Sequence, residues 1–390
     1  MVGTEERVRE LRDRLKTENL DALLITNSQN QGYLTDFPDP LGFLLIAERE
    51  MVFITDFCYL QEVPKSHNSI RVVAFGPLRL RSGASEPRPF LPVAKSRPFG
   101  ADGLEEQGPS RLETLAGVLR EIEVERLGFE AAGITYSDYQ EFTKKLSFLK
   151  LIPTRGLVEE MRLIKDGQEV DRLKKAAQIG DRAFEDIVDF IKPGLAEYEV
   201  ANRLEYLIRA GGAQRSAFSI VVGSGHRASL PHAAPTDKVL RAGDVIVLDY
   251  GVHFQGYNSD MTRTLFLGRM TERQRNIYSV VLQAQIEALD SVRPGIKCSE
   301  LDQVAREIIA REGYGKFFGH GLGHGIGRDV HEAPRLAQDN DSSLEAGMLI
   351  TIEPGIYIPD WGGVRIEDTV LVTPEGCEVL TRAPKELMVL

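Results

Sequence analysis

The sequence predicts a mixed α/β chain in two domains, the second made of two copies of one unit. Three observations carry this. Residues 1–152 alternate helical and strand-like patterns, while residues 168–267 and 271–373 each run helix, helix, hairpin. Each of those hairpins also carries a pair of acids at the end of an apolar run. The domain boundary is expected at 152/153.

In the first domain, residues 5–18 space their apolar side chains at helical intervals, and DALLIT (21–26) is a short apolar strand. GFLLIA (42–47) and MVFIT (51–55) flank a polar Glu-Arg-Glu and predict a hairpin, and IRVVAF (70–75) adds a strand. Composition then changes over 76–109, where Pro77, Pro87, Pro89, Pro92, Pro98 and Pro109 mix with Arg79, Arg81, Arg88 and Arg97. That stretch reads as a long surface loop or a functional flap, since structureless runs of this length are uncommon inside compact domains. A helix over 110–122, a strand at 126–130 and a helix over 136–147 complete the domain. Residues 149–166 read as the connection to the second domain.

The second domain opens with an amphipathic helix over 168–192, stopped by Pro193-Gly194, and a helix over 196–210 that ends at Gly211-Gly212. Strands follow at 217–223, 244–252 and 257–267. The order then recurs: a helix over 271–292 stopped by Pro294-Gly295, a helix over 298–312 stopped by Gly313, and strands at 347–357 and 363–373. Two consecutive units of this kind imply a pseudo-twofold axis, with a site where the two half-sheets meet.

The acids stand at that junction. A turn centred on Phe254-Gln255 sets Asp249 opposite Asp260, and a turn around Asp360–Gly363 sets Glu353 opposite Glu367. Directly opposed residues share a face, with Cβ atoms about 4.5–5.5 Å apart. Asp249 follows VIVL and Glu353 follows LITI, so both should be buried, and no Lys or Arg lies within two residues of either. A single acid at a strand end is ordinarily solvated or paired, but two opposed buried pairs repel unless cations sit between them. GHGLGHGIG (319–327) supplies His320 and His324, with His331 just beyond, and its five glycines let the backbone approach something closely. His232 lies between prolines in SLPHAAPTD, on a loop that returns to the same sheet edge. Arg365 shares a strand face with Glu367 and either balances charge or binds an anionic substrate group.

Four carboxylates balance two divalent ions. Oxygen-rich ligation with one imidazole and no thiolate favours Mn²⁺, with Co²⁺, Zn²⁺ or Fe²⁺ as alternatives. Paired metals lower the pKa of a shared water and clamp a tetrahedral intermediate, so hydrolysis is the implied reaction. Composition is that of an ordinary globular protein: 42% hydrophobic, 27% charged, net charge −11. That charge argues against nucleic acid or an anionic membrane as partner, and no run reaches membrane-spanning length. The charged start MVGTEERVRELRDRL has no apolar core of a signal peptide. Cys58, Cys298 and Cys377 suggest no disulfide framework, and a cytoplasmic location is expected.

VLDYGVHFQGYNSDMTRT, GHGLGHGIGRDVHE, TIEPGIYI and VRIEDT together resemble the signature segments of the pita-bread metallopeptidases, in particular their Xaa-Pro branch of dipeptidases (prolidases) and aminopeptidases. QGYLTDF (31–37) and RLIKDGQEVDRLKKAA (162–177) are similar to the creatinase-like N-terminal domain of that family. The resemblance implies that Asp249, Asp260, His324, Glu353 and Glu367 bind two divalent ions, bridged by Asp260 and Glu367. It implies that His232 and His331 contact substrate and move protons, that Glu353 is also the general base for a bridging hydroxide, and that His320 and Arg365 line the substrate pocket. Proline-containing di- or oligopeptides are the implied substrates, and a homodimer the implied assembly. Two features depart from the pattern: Arg328, where an apolar residue is usual, and the 76–109 stretch. Three rivals remain at this stage. Creatinase-like enzymes work without metals and lack the ligand set, methionine aminopeptidases lack this N-terminal domain, and a non-catalytic binding module would have lost its ligands.

Overall fold

A computed structural model of the chain describes residues 3–37, 40–56, 58–60, 70–76 and 109–390. These divide into two units, Gly3–Leu157 and Val158–Leu390. The Pro- and Arg-rich stretch falls almost wholly on 77–108, outside the described residues, and with it the choice between loop and flap.

In the first unit α1 (Thr4–Thr17) buries Val8, Leu11 and Leu15 along one stripe. There follow β1 (Ala22–Ile25), α2 (Ser28–Thr35), β2 (Phe43–Ala47), β3 (Met51–Asp56), β4 (Ile70–Phe75), α3 (Arg111–Glu121), β5 (Arg126–Glu130), α4 (Tyr136–Lys145) and β6 (Lys150–Thr154). The strands form one sheet in the order β4-β3-β2-β1-β5-β6, and β2 and β3 make the expected antiparallel hairpin. Two elements escape the sequence pattern. Helix α2 has no apolar period because it buries polar side chains: Gln31 Nε2 donates to the carbonyls of Ile25 and Gly42 at 2.9 Å each. Strand β6 lies where a connection was expected; as an edge strand it tolerates Pro153.

The second unit begins with α5 (Gly167–Phe190), α6 (Glu197–Ala210), β7 (Arg215–Ser216), β8 (Val221–Ser224), β9 (Val245–Tyr250), β10 (Val252–Phe254), β11 (Tyr257–Asn258) and β12 (Met261–Phe266). It continues with α7 (Glu272–Ser291), α8 (Cys298–Arg311), β13 (Gly323–Gly325), β14 (Glu332–Leu336), β15 (Leu349–Ile352), β16 (Gly355–Ile358), β17 (Gly362–Arg365), β18 (Asp368–Thr373) and β19 (Gly376–Val379). Asp166 caps α5 by accepting from the amides of Gln168 and Glu169. The two helix-helix-hairpin halves are present as read. No helix among the described residues is long and apolar enough to cross a membrane.

The first hairpin departs from its expected register. Asp249 pairs with Thr262, and Phe254 with Tyr257, so the turn centres on Gln255-Gly256 and not on Phe254-Gln255. The cause is backbone geometry: Gln255 and Gly256 both have positive φ, 49° and 82°. A two-residue hairpin turn of that kind favours glycine in a central position and disfavours phenylalanine. The displacement is two residues, which keeps every side chain on its face. Asp260 therefore lies diagonal to Asp249 instead of opposite it. The second hairpin keeps its expected register, since Ile352 pairs with Asp368 and Gly355 with Arg365, bringing Glu353 opposite Glu367.

Strand β9 is buried on both faces. Ile246, Leu248 and Tyr250 pack with α5 and α6, while Val245 and Val247 pack with Ile350, Ile352 and the helices of the second half. Asp249 continues the odd-numbered face, and Thr262 of β12, with Asp260 just before that strand, takes the corresponding face. Both look toward the second hairpin: the Glu367 amide donates to the Thr262 carbonyl at 3.2 Å, and the Arg365 amide to Thr264 Oγ1 at 3.1 Å.

Candidate metal centre

Asp260, His324 and Glu367 each offer a ligand atom, all within 4.8 Å of one another. Close backbone packing holds His324 there. A Cβ on Gly323 would come 2.0 Å from the Thr351 carbonyl oxygen, and one on Gly325 would come 2.1 Å from that of Ala333. Only glycine permits these approaches, which accounts for the residues flanking the histidine. His324 Nε2 lies 3.3 Å from Glu353 Oε1 and 3.7 Å from Asp260 Oδ2, and its Nδ1 pairs with the Gly325 carbonyl at 3.0 Å. Thr351 Oγ1 accepts from the His324 amide and donates to Glu353 Oε1 at 3.1 Å.

Asp249 stands in the same basin but has a different neighbour. Its Oδ2 accepts from Arg365 Nη2 at 2.5 Å, so the buried acid that lacked a cation nearby in sequence finds one across the fold. Its other oxygen has no hydrogen-bond partner, and neither does Asp260 Oδ1. Buried carboxylate oxygens left unmatched are costly.

The electrostatics agree. Burial pushes the carboxyls of Asp260 and Glu367 well above their usual range, and the surrounding acids push them further. Burial raises Asp249 too, against the opposing pull of Arg365. Burial alone would lower His324, but its hydrogen bond and charge interaction with Glu353 outweigh that and lift it to about 9. Glu353 is driven down to about 2 by the same contact, against the upward effect of burial. Cations between these groups would replace the protons that otherwise have to be taken up here. The donor set, oxygen-rich with one imidazole and with oxygens lacking partners, suits divalent ions.

The centre opens into a cavity of about 830 Å³ whose lining includes Phe218, Ile220, His232, His320, His331 and Arg335. His232 and His331 are exposed there, and the His331 ring lies 4.4 Å from that of His324. Burial, followed by the neighbouring His324, lowers the pKa of His331. His320 Nε2 pairs with Tyr357 Oη at 2.9 Å, and burial lowers its pKa as well. Arg365, 3% exposed, donates Nη1 to the same Tyr357 hydroxyl at 2.9 Å and Nε to Thr262 Oγ1 at 2.9 Å. Arg365 is therefore spent on Asp249, Tyr357, Thr262 and the Pro231 carbonyl.

Sequence reasoning missed Tyr357 and Thr262. Tyr357, in GIYI, reads as an ordinary strand residue, yet it joins His320 to Arg365. Thr262 donates to Glu367 Oε2 at 2.6 Å. Only their spacing from the acids hinted at either. Arg328 lies away from the cavity, 2% exposed, with its guanidinium 5.1 Å from the Tyr257 ring and against Gly256.

Comparison with known proteins finds two family profiles. Metallopeptidase family M24 matches residues 171–374, and the creatinase/prolidase N-terminal domain matches residues 7–164. An Xaa-Pro dipeptidase of Pyrococcus horikoshii is 36% identical over 386 residues, covering 98% of this chain and 99% of that one. Among solved structures, an Xaa-Pro dipeptidase from Bacillus anthracis superposes with a TM-score of 0.88 at 39% identity, over 100% of both chains. An X-Pro aminopeptidase from Thermotoga maritima gives 0.85 at 32% identity, over 98% of this chain and 99% of that one.

Proposed function

The chain belongs to metallopeptidase family M24, and from that premise we propose that it hydrolyses the bond between an N-terminal residue and a following proline, in di- or oligopeptides. The observation that carries this reading is the buried meeting of Asp260, His324 and Glu367 beside orphaned carboxylate oxygens, at the floor of a largely apolar cavity. Relatives named as Xaa-Pro dipeptidases over nearly the full length support the substrate class.

Asp249, Asp260, His324, Glu353 and Glu367 are the proposed ligands of two divalent ions, Mn²⁺ favoured and Co²⁺, Zn²⁺ or Fe²⁺ as alternatives. When bound, such a pair lowers the pKa of a shared water and polarises the scissile carbonyl. The chain's own residues do the rest. Glu353 accepts the proton of the attacking water. His232 and His331, exposed to the cavity, donate to the developing oxyanion and protonate the departing prolyl nitrogen. His320 and Arg365 shape the pocket; with its donors committed to Asp249, Tyr357 and Thr262, Arg365 acts chiefly by charge. A proline nitrogen carries no N–H, so a site that grips the carbonyl and the apolar ring, without seeking a backbone donor after the cleaved bond, suits this bond.

In this reading residues 1–152 are the creatinase-like N-terminal domain and 153–390 the catalytic domain, in a cytoplasmic homodimer. The test is hydrolysis of Ala-Pro, Ala-Pro-Ala, Ala-Ala and Met-Ala by the Mn²⁺-loaded protein. Release of alanine from the proline peptides alone is expected. The ratio of Ala-Pro to Ala-Pro-Ala turnover assigns dipeptidase or aminopeptidase. Failure to cleave any Xaa-Pro peptide would leave a non-catalytic binding module, and cleavage of Met-Ala alone would indicate a methionine aminopeptidase.

A further inference from the structure

His232 sits on an exposed loop, yet a proton-transferring side chain has to be held to well under an ångström to be effective. What holds it lies out of sight of the cavity. Glu197, at the first turn of α6, is 0% exposed and accepts five hydrogen bonds. Its Oε1 receives the Ser224 amide at 2.9 Å and the Ser224 hydroxyl at 2.8 Å. Its Oε2 receives Arg227 Nε at 3.0 Å, the Thr236 amide at 3.1 Å and the Thr236 hydroxyl at 2.8 Å. Ser224 precedes the loop, Arg227 lies within it and Thr236 closes it.

The tie continues toward the histidine. Arg227 Nη2 donates to the Ala234 carbonyl at 2.6 Å, and Arg365 Nη1 donates to that of Pro231 at 3.2 Å. His232 is thus bracketed by two carbonyls, each gripped by a guanidinium, and the Ala234 side depends on Glu197. Ala233 between them is 2% exposed and packs over Gly223, where an added Cβ would lie 3.0 Å from its own.

We infer that Glu197 is the positioning residue for His232: its buried carboxylate ties both ends of the 224–236 loop, and through Arg227 its middle, so that the imidazole meets substrate in one pose. The inference rests on the proton-transfer role proposed for His232. A glutamine cannot reproduce the clamp. Each carboxylate oxygen faces at least one N–H, so either orientation of the amide sets its NH₂ against a donor.

The test is a cycle of E197Q, H232A and the double variant, each loaded with Mn²⁺ and assayed on Ala-Pro. E197Q is expected to lower kcat by about tenfold to a hundredfold while its bound-metal content, measured by atomic absorption, stays that of the unmodified protein. In the H232A background the same change is expected to cost nothing further. Hydrogen exchange of metal-free E197Q should show faster exchange at Ser224 and Thr236 and unchanged protection around His324. Full additivity in the cycle, or E197Q at the unmodified rate, overturns the inference while leaving His232 its role. H232A at the unmodified rate instead removes the role of His232 itself, and that outcome is read from the single variant. If E197Q does not fold, R227M takes its place in the cycle: it cuts the Ala234 tether, leaves the carboxylate four donors, and is expected to behave the same way.

Discussion

Thr262→Val isolates one hydroxyl between a carboxyl and a guanidinium. Thr262 is 0% exposed; its Oγ1 donates to Glu367 Oε2 at 2.6 Å and accepts from Arg365 Nε at 2.9 Å. Valine keeps the shape and the branched Cβ that suits a strand, so the perturbation is chemical and not steric. A hydrogen bond to the Arg365 guanidinium contributes about 1.5–3 kcal/mol, and one to the Glu367 carboxyl, whose pKa burial raises well above its usual range in the metal-free protein, about 0.5–1.5 kcal/mol. Arg365 keeps its bonds to Asp249, Tyr357 and Pro231, so its share of the loss should fall at the lower end. A stability loss of about 2–4 kcal/mol in the metal-free protein is expected, read by urea denaturation. Freed of its donor, the Glu367 carboxylate can rotate away from His324, and loss of such an outer partner weakens metal binding by about 10–100-fold. Thr262→Ser restores the hydroxyl and should recover most of both effects. A valine variant within about 0.5 kcal/mol of the unmodified protein, or a serine variant as damaged as the valine, would refute the reasoning.

Three further outcomes follow from the geometry. Asp260→Ala should abolish metal binding and turnover with helix content preserved by circular dichroism, because the Asp260 carboxyl faces His324 from just before a strand; retained activity would contradict a bridging role. Tyr357→Phe removes the hydroxyl shared by His320 and Arg365 and should lower kcat/KM roughly tenfold, the worth of about one such hydrogen bond, measured on Ala-Pro. Glu332 tests acid stability. Burial would raise its pKa, but Lys165 and Arg162 outweigh that and hold it at about 2 against the usual 4.5. Folded, it binds its proton more weakly than unfolded, so its contribution is complete above about pH 5 and disappears as pH falls toward 2. Glu332→Gln should flatten that acid limb in pH-dependent denaturation. At neutral pH it should cost about 3–5 kcal/mol, by removing the buried carboxylate that faces Lys165 and Arg162, although Arg162 keeps Asp329. An unchanged acid limb would show that Glu332 is not so held.

The two acid pairs at the ends of apolar runs and the glycine-flanked histidine were legible because their signals are local. An acid ending an apolar strand is readable within a few residues, as are Pro-Gly at a helix end and glycines on either side of a histidine. The hairpin halves were legible for the same reason. The register of the first hairpin was not, although its cue was present: Gln255-Gly256 suits positive φ better than Phe254-Gln255, and the apolar pattern, being insensitive to a shift of two, could not choose. Helix α2 and strand β6 were lost because α2 buries amides rather than an apolar stripe, and because Pro153 marks an edge.

By itself the chain determined which groups would be gathered: four acids, an imidazole and three further histidines, the acids at the ends of buried strands in an order that repeats. Tertiary structure alone decided how they are balanced. Asp249 and Arg365 are 116 positions apart, and Thr262 and Glu367 are 105 apart. Residue type and period set what a segment buries. The partner a buried charge meets depends on which segment packs across from it, and no periodicity encodes that.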